Sequence, residues 1–159
     1  MSLSSPEPIV IKGAKLSFGL VASRYNPVLV EALLRSVLAG LEEAGVKEKR
    51  IQVIRVPGSH EVPVAAQWLA YDGKHDCVIA LGVLIGGDTK HHEMVGQSVS
   101  HALQQVSLAT RTPVINGVIV ADTLKQAEAR CLGPINRGAE FARAALEMAA
   151  LNRAVGRKS

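Results

Sequence analysis

Residues 78–95 read VIALGVLIGGDTKHHEMV, and this stretch decides the fold. An apolar run ends at Gly86 and Gly87, and the polar residues 88–92 follow before apolar residues return at helical spacing. The pattern predicts a buried strand, a glycine turn and a helix. Because a helix start offers unpaired N–H donors and a partial positive charge, this turn is suited to binding an anion.

The same strand-to-helix order recurs along the chain. Strands are predicted over 15–22, 50–56, 77–85 and 114–120. The first helix is predicted to start at Pro27 with Asn26 as its N-cap, and the third follows the polar residues 88–92. The other helices are predicted over 62–71, 124–131 and 137–151. Short connections between them predict an α/β fold: a three-layer αβα sandwich with a flavodoxin-like, four-stranded parallel sheet and helices on both faces. The apolar triplet 9–11 is predicted as a short N-terminal edge strand, which can equally pair with a neighbouring subunit.

Length and composition predict one domain over 13–159, preceded by a mobile N-terminal segment over 1–12. No secretory signal or apolar stretch of membrane-spanning length is visible, so a cytoplasmic protein without membrane contact is expected. The net charge of +4 comes from scattered basic residues with only 3% aromatics, which disfavours a nucleic-acid partner. Cys77 and Cys131 form no CxxC pair, so a disulfide framework and a zinc knuckle are not expected.

In a parallel sheet every strand-to-helix loop emerges at the same edge, where ligands bind. The loops over 23–26, 58–61, 86–92 and 121–123 are therefore predicted to be neighbours. They hold Arg24, Tyr25, Glu61, Asp88, Thr89, His91 and His92. This set suits an anion cradle with a histidine for proton transfer. Neighbouring helix residues point about 100° apart, so His91 and His92 cannot both face one ligand, and the residues alone do not choose between them.

Several other sites are disfavoured by their motifs. Asp88 stands where a P-loop requires lysine, and no GxGxxG follows the first strand. His92 and Glu93 begin an HExxH pattern, but Gly96 occupies its fifth position. Neither nucleotide hydrolysis nor a metal site is therefore expected.

Four segments together resemble the lumazine synthase family: SRYN at 23–26, PGSHEVP at 57–63, residues 80–91, and NRGA at 136–139. The similarity extends from about residue 13 to residue 151. It implies the penultimate step of riboflavin biosynthesis, in which 5-amino-6-(D-ribitylamino)uracil condenses with 3,4-dihydroxy-2-butanone 4-phosphate. The implied products are 6,7-dimethyl-8-ribityllumazine, phosphate and water, with neither cofactor nor metal.

The resemblance also implies a role for each matching residue. Tyr25 would stack on the pyrimidine, His91 would transfer protons, and Arg130 would reach the phosphate from the adjacent subunit. Arg137 is a candidate second basic contact. The pyrimidine and ribityl group would be held by Tyr25, Asn26, Ser59, His60, Glu61, Val83, Leu84, Ile85 and Asn116, and the phosphate by Gly87, Asp88, Thr89 and Arg130.

The resemblance implies a homo-oligomer built on pentamers, with active sites at subunit interfaces and an icosahedral shell as one form. It also suggests a functional link to riboflavin synthase. Gly86 replaces a common arginine, Asn116 replaces a common phenylalanine, and the linker over 130–136 is one residue shorter than in many members, which leaves the assembly state open. Two alternatives remain: an archaeal-type riboflavin synthase, and a non-catalytic shell protein of the same fold.

Overall fold

The computed structural model describes residues 4–156 and contains one parallel sheet with strand order β2-β1-β3-β4. The strands are β1 (Phe18–Ser23), β2 (Ile51–Val56), β3 (Cys77–Ile85) and β4 (Val114–Ala121). The helices are α1 (Pro27–Glu43), α2 (Val62–Tyr71), α3 (His91–Thr110), α4 (Leu124–Cys131) and α5 (Arg137–Leu151). A short 3₁₀ turn over Ser59–Glu61 leads from β2 into α2.

The helices cover both faces of the sheet, which confirms the predicted three-layer fold. Successive strand residues point to opposite faces, so Phe18 and Leu20 lie in the core under α1, α4 and α5. Val21 lies in the second core, formed with α2 and α3. β3 is buried along most of its length because it has a neighbouring strand on each side and helices above and below.

The strand order places a ligand crevice between β1 and β3. α1, which follows β1, packs on one face of the sheet, whereas α3, which follows β3, packs on the other. The two loops therefore separate above adjacent strands and leave a gap at their carboxyl ends. Such a switch point is where ligands bind in open α/β sheets.

The helix ends agree with the sequence in part. Gly45 follows the C-cap of α1 with φ 92°, a conformation that favours glycine, and Pro63 lies in the first turn of α2, where its missing N–H leaves no helical bond unmade. Asn26 is the N-cap residue of α1, as predicted, but it has φ 53° and makes no side-chain cap bond; its carbonyl accepts from the Val30 N–H. α3 begins only at His91, so residues 88–90 form a turn before the helix.

The expected N-terminal edge strand is absent from this sheet. Residues 9–11 form no strand, and Ile9 and Val10 are exposed, whereas Ile11 packs against the core. The Gly13 N–H donates to the Ala44 carbonyl, so the chain crosses the end of α1 instead of lying beside a strand. Within the predicted mobile segment, residues 1–3 lie outside the described residues.

A buried carboxylate fastens the C-terminal end of the chain to the sheet. Asp76, directly before β3, accepts hydrogen bonds from the Ser17 backbone and from Arg153 Nε at 2.9 Å. The Asn152 amide donates to the Asp76 carbonyl oxygen. Because Asp76 is fully buried, these partners compensate a charge that would otherwise be costly.

Across residues 4–156, no helix combines the length and the apolar character that crossing a bilayer requires.

Candidate active site

A cavity of about 530 Å³ opens at the carboxyl ends of β1 and β3. Three of the four predicted loops converge on it, since its walls come from the segments after β1, β2 and β3, whereas the loop over 121–123 does not line it. Its lining comprises Tyr25, Asn26, Gly58, Ser59, His60, Glu61, Val83, Leu84, Ile85, Gly87, Thr89, His91, His92 and Val95. Eleven of the residues expected to contact substrates or transfer protons are in this set: all of those named above except Asp88, Asn116, Arg130 and Arg137.

The β1–α1 loop forms one wall and is fixed to β3. The Asn26 Nδ2 donates to the Val83 carbonyl at 2.8 Å, which holds the loop over the neighbouring strand. Tyr25 is 71% exposed, with its ring edge against Gly58. A flat, accessible aromatic face fixed in this way can stack on a planar ring.

The β2–α2 turn supplies polar groups to the opposite wall. The Gly58 N–H donates to Glu61 Oε2 at 2.8 Å, and Glu61 Oε1 lies 4.0 Å from His60 Nδ1. One carboxylate oxygen thus shapes the turn while the other remains close to the cavity. Ser59 is buried, and its Oγ has no partner among the described residues.

Gly82 makes room for that serine. A methyl group at Gly82 would lie 2.5 Å from Ser59 Oγ, so only glycine lets the hydroxyl rest on β3 at the cavity floor.

The turn from β3 into α3 forms the third wall. Gly87, Asp88 and Thr89 are exposed, and a side chain at Gly87 would meet no other atom within 4 Å. The backbone is therefore open to a ligand, directly before the N–H groups of a 20-residue helix. His91, the first residue of α3, is exposed and faces this space as a lining residue.

His92 is placed very differently from His91. It is 7% exposed, and its Nε2–H donates to Asp122 Oδ1 at 3.1 Å in the loop after β4. His92, Glu93 and Asp122 bring three ligand atoms within 4.8 Å of one another. Because His92 Nε2 already bonds the Asp122 carboxylate, we interpret these residues as a hydrogen-bonded His92–Asp122 pair beside Glu93 instead of a metal site.

The expectation was that His91 and His92 would not both face one ligand, yet both line the cavity. A signal was present in the spacing, because His92 stands three residues before Val95 and seven before Val99 on the buried stripe of α3. Gly58 and Val95 were also missed as lining residues.

Four expected contacts are absent from the lining: Asp88 lies in the turn before α3, and the other three lie on β4, α4 and α5. Asn116 is exposed on β4 and lines a separate cavity of about 720 Å³ beside α3. Arg130, on α4, donates to the Gln126 carbonyl. Arg137 donates to Glu140 at 2.7 Å and stacks on Phe141, 5.7 Å from the ring centroid.

The two thiols do not belong to the site. Burial raises the pKa of Cys131 to about 11, although the neighbouring Arg130 lowers it slightly. Burial also raises the pKa of Cys77 far above its ordinary value, with the Asp76 charge acting in the same direction. Neither thiol is a reactive thiolate near neutral pH.

Comparison with known proteins gives one consistent family. A family model described as 6,7-dimethyl-8-ribityllumazine synthase matches residues 15–153. A protein of that name from Thermococcus onnurineus is 43% identical over 140 residues, 88% of this chain and 91% of the relative. Proteins of the same name from Xylella fastidiosa and Xanthomonas oryzae pv. oryzae are 39% and 43% identical over 142 and 132 residues. These alignments cover 89% and 82% of this chain, and 92% and 86% of the relatives.

The match spans all four strands, all five helices and every wall of the cavity. From this agreement of sequence, fold and cavity, the chain belongs to the 6,7-dimethyl-8-ribityllumazine synthase family.

Proposed function

We propose that this chain condenses 5-amino-6-(D-ribitylamino)uracil with 3,4-dihydroxy-2-butanone 4-phosphate to form 6,7-dimethyl-8-ribityllumazine, phosphate and water. The observation that carries the proposal is the cavity at the strand switch point. It holds an exposed aromatic ring, a carboxylate, an open glycine turn at a helix start and an exposed histidine. These groups match a planar heterocycle with hydroxyls on one side and a phosphate on the other.

The pyrimidine side lies between the β1–α1 and β2–α2 loops. Tyr25 stacks on the ring, and the backbone of residues 83–85 offers edge-on hydrogen bonds at the end of β3. The Ser59 hydroxyl is buried without a partner among the described residues, so a substrate group that bonds it removes an existing cost. His60 and the free oxygen of Glu61 face the ribityl hydroxyls, and Asn26 braces the wall behind Tyr25.

The phosphate side is the turn formed by Gly87, Asp88 and Thr89. These residues are exposed and lie directly before α3, whose start favours negative charge, and the Thr89 hydroxyl can donate to the phosphate. His91, which follows this turn in the sequence, lines the same cavity as Tyr25 and Glu61.

The reaction requires proton transfers at each step. The uracil amine attacks the ketone and forms an imine with loss of water, phosphate leaves, and the ribitylamine closes the ring with loss of a second water. His91 assists these transfers, and much of the acceleration comes from holding two reactants together.

The site is completed by a second copy of the chain. Arg130 and Asn116 lie outside the cavity of their own subunit, which supports a contribution of both residues to a neighbour's site. Large apolar side chains remain exposed on the outer faces of α2 and α3, including Trp68, Tyr71, Met94 and Leu108. An assembly of pentamers with shared active sites accounts for both observations. The link to riboflavin synthase and the cytoplasmic location stay predictions.

The first test is direct synthesis. The purified protein is mixed with both substrates, and lumazine formation is followed by absorbance against a protein-free control. We expect a rate well above the spontaneous reaction, and a rate equal to it would reject the proposed function.

The second test asks whether the site is shared between subunits. Arg130→Ala and Glu61→Ala subunits are each expected to be nearly inactive alone. Co-assembled, they form some sites with both residues intact, so part of the activity should return. No recovery in mixed assemblies, confirmed by sedimentation, would place Arg130 and Glu61 in the same subunit's site.

A further inference from the structure

We propose that Asp122 is a positioning residue that holds both ends of the phosphate turn, through Gly86 at one end and His92 at the other. This inference rests on the proposed function of the turn over 87–89. It adds the β4–α4 loop, which carries Asp122, to the machinery of a site whose walls it does not line.

The first anchor is the close packing of Gly86 on Asp122. The Gly86 N–H donates to the Ala121 carbonyl at 2.8 Å, which extends the pairing of β3 with β4 by one residue. A methyl group at Gly86 would lie 2.5 Å from the Asp122 carbonyl oxygen and 3.1 Å from its Cα. The absence of a side chain at Gly86 therefore permits the two loops to touch through their backbones.

The second anchor is the bond from His92 to the Asp122 carboxylate. His92 is nearly buried beneath the first turn of α3, and its Nε2–H donates to Oδ1 at 3.1 Å. The Asp122 N–H in turn donates to Gln126 Oε1 at 2.9 Å in α4. The carboxylate is thus held on a loop that is itself fixed to the next helix.

Between the two anchors lie only residues 87–91. They are exposed, and they include the turn over 87–89 and the histidine His91. Fixing both ends of so short a segment on one residue restricts the conformations that the segment can adopt. Preorganisation of this kind strengthens binding by reducing the ordering cost. Loss of Asp122 should therefore weaken phosphate binding more than pyrimidine binding.

The test uses the full-length assembled protein and steady-state kinetics with each substrate varied in turn. Asp122→Ala should raise KM for the butanone phosphate by about tenfold, as expected for a partly solvated, charge-assisted hydrogen bond. KM for the uracil should stay within about twofold. Asp122→Asn, which keeps the acceptor oxygen, should restore most of the loss. His92→Phe combined with Asp122→Ala should be no worse than Asp122→Ala alone, because both changes remove one interaction.

A second measurement is independent of activity. Amide hydrogen exchange at Gly86 and Met94, whose N–H groups bond the Ala121 and Lys90 carbonyls at the two ends of the turn, should be about tenfold faster in Asp122→Ala than in the wild type, with the rest of the strands unchanged. Asp72→Ala is the matched control, because Asp72 is a loop aspartate that pairs with Lys74 beyond the end of α2. It should alter neither exchange in the turn nor either KM.

The outcomes separate this inference from the proposed function. If the wild type makes no lumazine above the spontaneous rate, the proposed function fails, and exchange still decides whether Asp122 holds the turn. Equal exchange in Asp122→Ala and the wild type would overturn the inference. In an active enzyme, an equal rise in KM for both substrates would also overturn it, since that result indicates a general structural role.

Discussion

Two adjacent histidines have opposite environments at the start of α3. His91 is exposed in the cavity, where its imidazole can exchange protons with a ligand and with solvent. His92 is buried, and its one bonded ring nitrogen is held by Asp122. A group that must accept and release protons during turnover needs a free nitrogen at the cavity, and His91 meets this requirement.

Replacement of His91 by alanine should slow the reaction without abolishing it. We expect kcat to fall on the order of 10- to 100-fold, because proximity of the two reactants remains while assisted proton transfer is lost. Both KM values should change little. His101→Ala serves as a control, since His101 lies on the same helix but outside this cavity. An unchanged kcat in His91→Ala would remove His91 from the proposed mechanism.

At the scale of elements, two helices begin in contrasting ways. α4 has a side-chain cap, because Thr123 Oγ1 accepts the Gln126 N–H at 3.2 Å. α1 has none, because the left-handed Asn26 directs its amide across to Val83. The Asn26 side chain therefore stabilises the cavity wall instead of the helix. α4 is only eight residues long, so it depends more strongly on its cap.

Replacement of Thr123 by alanine should destabilise α4 by about 1 kcal/mol, the usual cost of losing such a cap. Because α4 carries Arg130, the same change should raise KM for the phosphate substrate. Thermal unfolding and steady-state kinetics measure the two effects. Thr123→Ser keeps the hydroxyl and should behave like the wild type. A serine variant as impaired as the alanine variant would show that the Thr123 methyl, not the cap, is responsible.

At the scale of the whole molecule, both thiols lie in the core that α1, α4 and α5 form with the sheet. Burial raises their pKa values above the 9.0 of a free thiol. The folded protein thus keeps both protons at a pH where the unfolded chain loses them. Stability from this source is complete below pH 9 and declines as the pH rises toward 11.

The free energy of unfolding should therefore decrease above pH 9 by roughly 1.4 kcal/mol per pH unit for each thiol. Urea denaturation between pH 7 and pH 10.5 measures the slope. A variant with Cys77→Ala and Cys131→Ala should lose most of this slope while keeping the contribution of other titrating groups. An equally steep decline in that variant would exclude the thiols as its cause.

Much of this architecture could be predicted from local pattern. The bounds of β3, α4 and α5 agree with the sequence, because local signals mark their ends: Gly86 follows β3, Thr123 precedes α4, and Gly133 and Pro134 separate α4 from α5. The behaviour of Asn26 could not be predicted, since its side chain bonds a strand 57 residues away. Nor does local pattern reveal the joint contact of Gly86 and His92 with Asp122. The site contacts assigned to Asn116 and Arg130 stay predictions, because they concern a second subunit.

The buried Asp76 sets a practical limit on how far the chain can be shortened. Deletion from Asn152 onward would take the arginine partner from a fully buried carboxylate, which typically costs about 3–5 kcal/mol. A fusion partner joined after Gly156 keeps both contacts intact. C-terminal fusions should therefore be tolerated where a deletion that reaches Arg153 is not, which makes this end suitable for attaching cargo to the assembled protein.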